Sequence, residues 1–136
     1  MMSREYTPMQ WNPEEKLSRV LLVEDAPFLR YAFGRLLRLH GYEVMEANNG
    51  LEALESISQF RPQLVVTDLM MPVMDGVELI RRLRANPETA DLPVVAITAD
   101  GTSHAEARAR EAGAVDFITK PIDLPGLLER LRALQV

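Results

Sequence analysis

The stretch LVVTDLMMPVMDG, residues 64–76, decides the fold. Its first half is an apolar, β-branched run, the composition of a strand buried on both faces. It delivers Asp68 into two methionines, a proline and then Asp75-Gly76. A buried strand that ends on a carboxylate and a stiff turn raises the question of what Asp68 does.

Similar runs recur on both sides of it. RVLLVE (19–24), LPVVAIT (92–98) and AVDFIT (114–119) are short and apolar, and YEVMEA (42–47) alternates as an edge strand does. Helical periods fill the intervals. In APFLRYAFGRLLRLHG, Leu29, Phe33, Leu36 and Leu37 recur at helical spacing, Pro27 suits the first turn and Gly41 the C-terminal cap. NGLEALESISQF (49–60) follows Asn48 or Asn49 as cap, and DGVELIRRLRAN (75–86) is closed by Pro87. SHAEARAREAG (103–113) and LPGLLERLRALQ (124–135) complete the set, the last with Leu124, Leu127, Leu128, Leu131 and Leu134 in one stripe. Strict alternation of five strands and five helices predicts an α/β fold, a parallel sheet covered on both faces.

Bulk properties agree. At 136 residues with 47% apolar and 26% charged residues, the chain is one soluble domain's worth. Without cysteine there are no disulfides and no thiol chemistry. No stretch approaches the ~20 apolar residues of a membrane span, and the start lacks a signal peptide's apolar run. A cytoplasmic protein is expected. The net charge of −5, without a basic stripe, argues against direct nucleic-acid binding. Residues 1–18, with two prolines, Trp11 and no period, read as a flexible or loosely docked extension to a domain over 19–136.

The polar residues collect where the strands stop. The first strand ends on Glu24-Asp25, the third on Asp68, the fourth on Thr98 and the fifth on Thr119-Lys120. In a parallel sheet these ends share one rim, where ligands bind. The second strand brings no such group, as an outer strand would not. Two carboxylates about 5 Å apart repel by roughly 3 kcal/mol at an effective dielectric of ~20. Three such pairs rival a domain's whole stability. The cluster must protonate, spread or bind a cation. A small, open set of oxygen ligands suits Mg²⁺, which favours phosphate as a co-ligand. The chain has 13 arginines and two lysines, Lys16 and Lys120. A compact ammonium at Lys120 can bridge a carboxylate or phosphoryl oxygen as a point charge.

These pieces resemble the receiver domain of two-component response regulators: LLVEDAP, VVTDLMMPVMDG, VVAITA and GAVDFITKPID, in that order, across about residues 19–135. The resemblance implies a flavodoxin-like doubly wound sheet of order 2-1-3-4-5. It makes Asp68 the phosphoacceptor, taking a phosphoryl group from a sensor histidine kinase or histidine phosphotransfer protein. It implies Mg²⁺, with Mn²⁺ as a substitute, held by Asp25, Asp68, the Met70 backbone carbonyl and, through water, Glu24. Lys120 would pair with Asp68 and then with the phosphoryl group. Thr98, followed by the small Ala99, would donate to a phosphoryl oxygen, and Phe117 would be the rotating aromatic switch. Lys120-Pro121 would be cis. Met70 and Asp100 would tune phosphoryl lifetime.

Such a module is no enzyme in its own right. The reading is a single-domain regulator or relay intermediate, with a fragment of a hybrid kinase or larger regulator as the alternative. The resemblance implies that it would dock on a downstream partner through the fourth helix, fifth strand and fifth helix. The donor's helices would meet Pro27, Phe28 and Leu29 with Pro121-Ile122. A monomer or weak dimer is expected, with Asp116 and Arg130 as a possible pair across a dimer. Arg81, Arg82 and Arg84 read as a solvated helix face, and His40 and His104 as partnerless surface histidines. The blander readings are a turn cap for Asp68, helix-starting acids for Glu24-Asp25, a strand-end hydroxyl for Thr98 and plain core for Phe117. An aspartyl-phosphate phosphatase would want a second Asp where Met70 stands. A flavin binder would want a phosphate-cradling loop where EDAP stands.

Overall fold

The computed structural model describes residues 18–134. Residues 1–17 of the predicted extension, including Trp11, and the last residue of the final helical period lie outside them. In chain order the elements are β1 (Arg19–Val23), α1 (Pro27–Leu39), β2 (Glu43–Ala47), α2 (Gly50–Phe60) and β3 (Leu64–Asp68). They continue with α3 (Gly76–Ala85), β4 (Val94–Thr98), α4 (Ser103–Ala112), β5 (Asp116–Thr119) and α5 (Leu124–Ala133). All strand pairs are parallel and the order is β2-β1-β3-β4-β5, the expected flavodoxin-like arrangement.

Successive strand residues face opposite helical layers, which explains the uniformly apolar runs. Leu21, Val23, Val65, Val94 and Ala96 pack with Ala53 and Ile57 of α2, Leu79, Ile80 and Leu83 of α3, and Ala105 and Ala109 of α4. Val20, Leu22, Leu64, Val66, Val95 and Ile97 pack with Phe33 and Leu37 of α1 and Leu127, Leu128 and Leu131 of α5. β3 and β4 are buried throughout, whereas the edge strand β2 buries only Ala47.

The helix starts are chemically marked. Asn49 accepts from Glu52 N–H, Asp75 from Glu78 N–H and Thr102 from Ala105 N–H, each satisfying a donor the helix leaves open. β4 begins two residues later than its apolar run. Pro93 has no N–H to give, and only its carbonyl joins the sheet, accepting from Val65 N–H at 3.0 Å.

Three expectations are corrected. Arg84 is no part of a solvated face: its guanidinium donates to the Gly113 carbonyl at 2.7 Å and the Leu92 carbonyl at 2.7 Å. His40 has a partner, its Nδ1 lying 3.0 Å from the Leu36 carbonyl at the end of α1. Arg130 and Asp116 pair at 2.7 Å within the chain rather than waiting for a second copy.

Candidate phosphoryl-acceptor site

The turn after β3 is tight because Gly76 permits it. Gly76 N–H bonds the Leu69 carbonyl at 2.9 Å, and a Cβ on Gly76 would collide with the Asp68 main-chain oxygen. Within the turn, Met74 N–H reaches the Pro72 carbonyl at 2.8 Å, and Val73 between them has φ +72°. A β-branched residue in the left-handed region is a strained one. The loop therefore lifts Met70, Pro72 and Val73 outward, all exposed, and leaves Asp68 at the rim with 6% of its surface accessible.

Carboxylate oxygens of Glu24, Asp25 and Asp68 all lie within 4.8 Å of one another. Glu24 is buried and Asp25 half-buried. Lys120 Nζ donates to Asp68 Oδ2 at 2.9 Å and to Glu24 Oε1 at 3.0 Å. Asp68 Oδ1 accepts from Met70 N–H at 3.1 Å, and Glu24 Oε2 from Ala26 N–H at 3.1 Å.

Burial pushes the Glu24 carboxyl above the usual glutamate range. The Ala26 N–H and Lys120 pull it back, Asp68 adds repulsion, and the net shift is upward. Burial pulls Lys120 the other way from its neighbours. Hydrogen bonds and charge from Asp68 and Glu24 outweigh that burial, and its pKa is raised. The ammonium is thus held charged between the two carboxylates. One cation against three acids leaves an excess of negative charge, and three converging carboxylates are the hard-oxygen donor set a small divalent cation takes.

Thr98 is buried at the end of β4, its Oγ1 accepting from Asp100 N–H at 3.2 Å. In the sheet register Asp68 lies opposite Ile97, one residue before Thr98. Ala99 and Lys120 line a cleft of about 560 Å³ with Leu29, Phe33, Pro121 and Ile122. A second cleft, about 500 Å³, lies on the other side of the rim between the Leu69–Pro72 turn and α4, and Thr98, Asp100 and Ala105 line it. Phe117 is in the core with 8% exposure, opposite Ala96. The Lys120-Pro121 bond is cis.

The profile of the response regulator receiver domain matches residues 20–132. The chain belongs to that family. Among its relatives, the response regulator MprA of Mycobacterium leprae is 41% identical over 116 residues, 85% of this receiver and 50% of that protein. The DNA-binding dual master transcriptional regulator RpaA of Synechocystis is 36% identical over 118 residues, 87% of this chain and 49% of that one. The receiver spans about half the length of these curated relatives. A putative response regulator from Chloroflexus aurantiacus superposes with TM-score 0.83 at 34% identity, covering 88% of this chain and 98% of that one. The receiver domain of a signal transduction histidine kinase from Syntrophus aciditrophicus gives 0.80 at 35%, covering 87% and 89%.

The receiver's rim thus gathers Glu24, Asp25, Asp68, Lys120 and Thr98 as the strand ends predicted, while Phe117 sits below it in the core. Arg30 escaped the sequence reading. Its Nη1 donates to the Glu24 carbonyl at 2.7 Å. The available signal was a cation near the start of α1, where the helix dipole disfavours one.

Proposed function

We propose that this receiver accepts a phosphoryl group on Asp68 from a phosphohistidine of a sensor kinase or phosphotransfer protein, with Mg²⁺ in the acidic cluster. The observation that carries the reading is the half-buried Lys120 ammonium bonded at once to Asp68 and Glu24, with three carboxylates inside 4.8 Å. Asp25, Asp68 and the Met70 carbonyl would hold the ion, Glu24 acting through water. The ion supplies neutralisation of phosphoryl charge when bound. In the transfer, the donor's P–N bond breaks as the Asp68 O–P bond forms. Lys120 stays beside Asp68 and pairs with the incoming phosphoryl oxygens. Thr98 turns its hydroxyl from Asp100 N–H toward them.

That shift is the proposed switch. A hydroxyl drawn to the rim changes the loop before α4, and Phe117 repacks with it, altering the α4–β5–α5 surface that meets a downstream protein. Phe117 carries no hydroxyl, so its inward position leaves no polar atom to satisfy. Met70 and Asp100 are the side chains beside the acceptor that would set how fast water removes the phosphoryl group, an apolar Met70 favouring a longer life. The donor's helices would sit on the apolar cleft of Leu29, Phe33, Pro121 and Ile122 beside exposed Phe28. The curated relatives carry about as much chain again beyond the matched half. A receiver that forms part of a larger regulator or hybrid kinase is therefore the second reading, and a DNA-binding partner domain is one form it takes.

Acetyl phosphate with Mg²⁺, followed by intact mass, tests the proposal. One phosphoryl adduct is expected, absent without the ion, absent in Asp68→Asn and cleaved by hydroxylamine. An adduct that persists in Asp68→Asn would refute it.

A further inference from the structure

The peptide group joining Glu24 to Asp25 is held at its carbonyl by a side chain from outside the acidic cluster, and the peptide before it is anchored to the sheet. Glu24 N–H bonds the Ala47 carbonyl of β2 at 3.0 Å. The Glu24 carbonyl lies beyond the end of β1 and accepts from Arg30 Nη1 at 2.7 Å. That carbonyl sets the plane of the peptide leading into Asp25. Rotating it swings the Asp25 Cα and its carboxylate with it.

Arg30 is itself held. Its Nε lies 3.4 Å from Glu46 Oε1, and the other oxygen of Glu46 accepts from Arg38 at 2.9 Å. Arg38 also donates to the Val44 carbonyl at 3.0 Å. Glu46 packs its carboxylate over Gly34 of α1, where a Cβ would come within 2.8 Å of Glu46 Oε2 and push it aside. The side chains of Arg30 and Glu46 are 17% and 25% exposed, so the link is sheltered from water. A relay of named contacts therefore runs from the edge strand, through Glu46 and Arg30, to the backbone between the two acids.

We propose that Arg30, oriented by Glu46, is a positioning residue for the acidic pair, fixing the Glu24–Asp25 peptide so that Asp25 is preset for a divalent cation. The inference rests on the reading of the cluster as a Mg²⁺ site, and it is testable by binding alone. The sign of the effect separates positioning from charge. Arg30 is cationic, so by Coulomb's law its removal should strengthen divalent binding if charge were its only contribution. If it presets the backbone, removal weakens binding.

The experiment titrates Mg²⁺, with no phosphodonor present, and follows the rise in thermal midpoint and the heat of binding in wild type, Arg30→Met, Arg30→Lys and Glu46→Gln. Arg30→Met is expected to bind Mg²⁺ about tenfold more weakly, the usual scale for losing a group that orients a ligand. Arg30→Lys, which retains one donor for the carbonyl, should recover most of that loss. Glu46→Gln, with Arg30 in place, should show a smaller shift in the same direction. Unchanged or tighter Mg²⁺ binding in folded Arg30→Met overturns the inference, even if the variant melts earlier. If Arg30→Met does not fold, unchanged binding in both Arg30→Lys and Glu46→Gln overturns it. Wild type that shows no response to Mg²⁺ overturns the underlying site reading, and this inference with it.

Discussion

Lys120 bonds two carboxylates that are 97% and 94% removed from solvent, Glu24 and Asp68. Taking away one member of such a buried group leaves uncompensated charge, at about 3–5 kcal/mol. Lys120→Met is therefore expected to lose about 3 kcal/mol in denaturant unfolding without metal, and added Mg²⁺ should restore part of it. Glu24 acts in the other direction. Its folded pKa is raised above the ordinary 4.5, so the folded state binds the proton more tightly than the unfolded chain. The resulting stabilisation is fully present below the unfolded value and is lost as pH rises through the folded one. Glu24→Gln, which carries no ionisation cost, should thus gain on wild type as pH rises from 4.5 toward neutrality in the metal-free protein. Urea midpoints at several pH values check the sign, and a gain confined to low pH would contradict it. Glu24, Asp25, Asp68, Thr98 and Lys120 could be located from sequence because each ends a strand, and a parallel sheet brings all such ends to one rim. Arg30 was marked only as a cation near the start of α1; its partner had no signature, since the acceptor it finds is a backbone carbonyl.

Secondary elements were legible where periodicity is unbroken. All five strands and five helices follow from runs of period 3.6 and from apolar stretches bounded by turn residues, and their ends shift by one or two residues where Pro93 or a cap intervenes. The exception is the face of α3. Arg82 pairs along the helix with Glu78 at 2.9 Å, as a solvated residue does. Arg84, two positions on, crosses to Gly113 and Leu92, contacts 29 and 8 residues away that no local pattern encodes. It closes the C-terminal end of α4, where a Cβ on Gly113 would come within 2.6 Å of Arg84 Nε. Arg84→Ala leaves both carbonyls without this donor in a half-buried place, and a loss of about 2–3 kcal/mol is expected. Its Mg²⁺ midpoint should match wild type, because the contacts lie at the end of α4 away from Thr102. The buried residues of α4 are two alanines, Ala105 and Ala109, whereas α3 buries Val77, Leu79, Ile80 and Leu83. Less apolar area holds α4 in place. Amide exchange in α4 should accordingly be faster than in α3 by at least tenfold, a difference of about 1.4 kcal/mol in opening. Equal protection in the two helices would contradict this.

At the scale of the molecule, the fold concentrates unfavourable charge at one place and, among the described residues, offsets it with the Lys120 ammonium. Two packed layers around a parallel sheet supply the stability that lets the rim keep three carboxylates together. The remaining negative excess gives a divalent cation its place, and a phosphoryl group its reason to come with one. The measurement that tests this most directly is chemical mapping of the acceptor. The receiver is treated with acetyl phosphate and Mg²⁺, then reduced with borohydride, which converts an acyl phosphate to an alcohol. Peptide masses then locate the change. Reduction at position 68 alone, dependent on Mg²⁺, is the predicted result. Reduction at Glu24 or Asp25, or none anywhere in folded protein with Mg²⁺ present, would contradict the account.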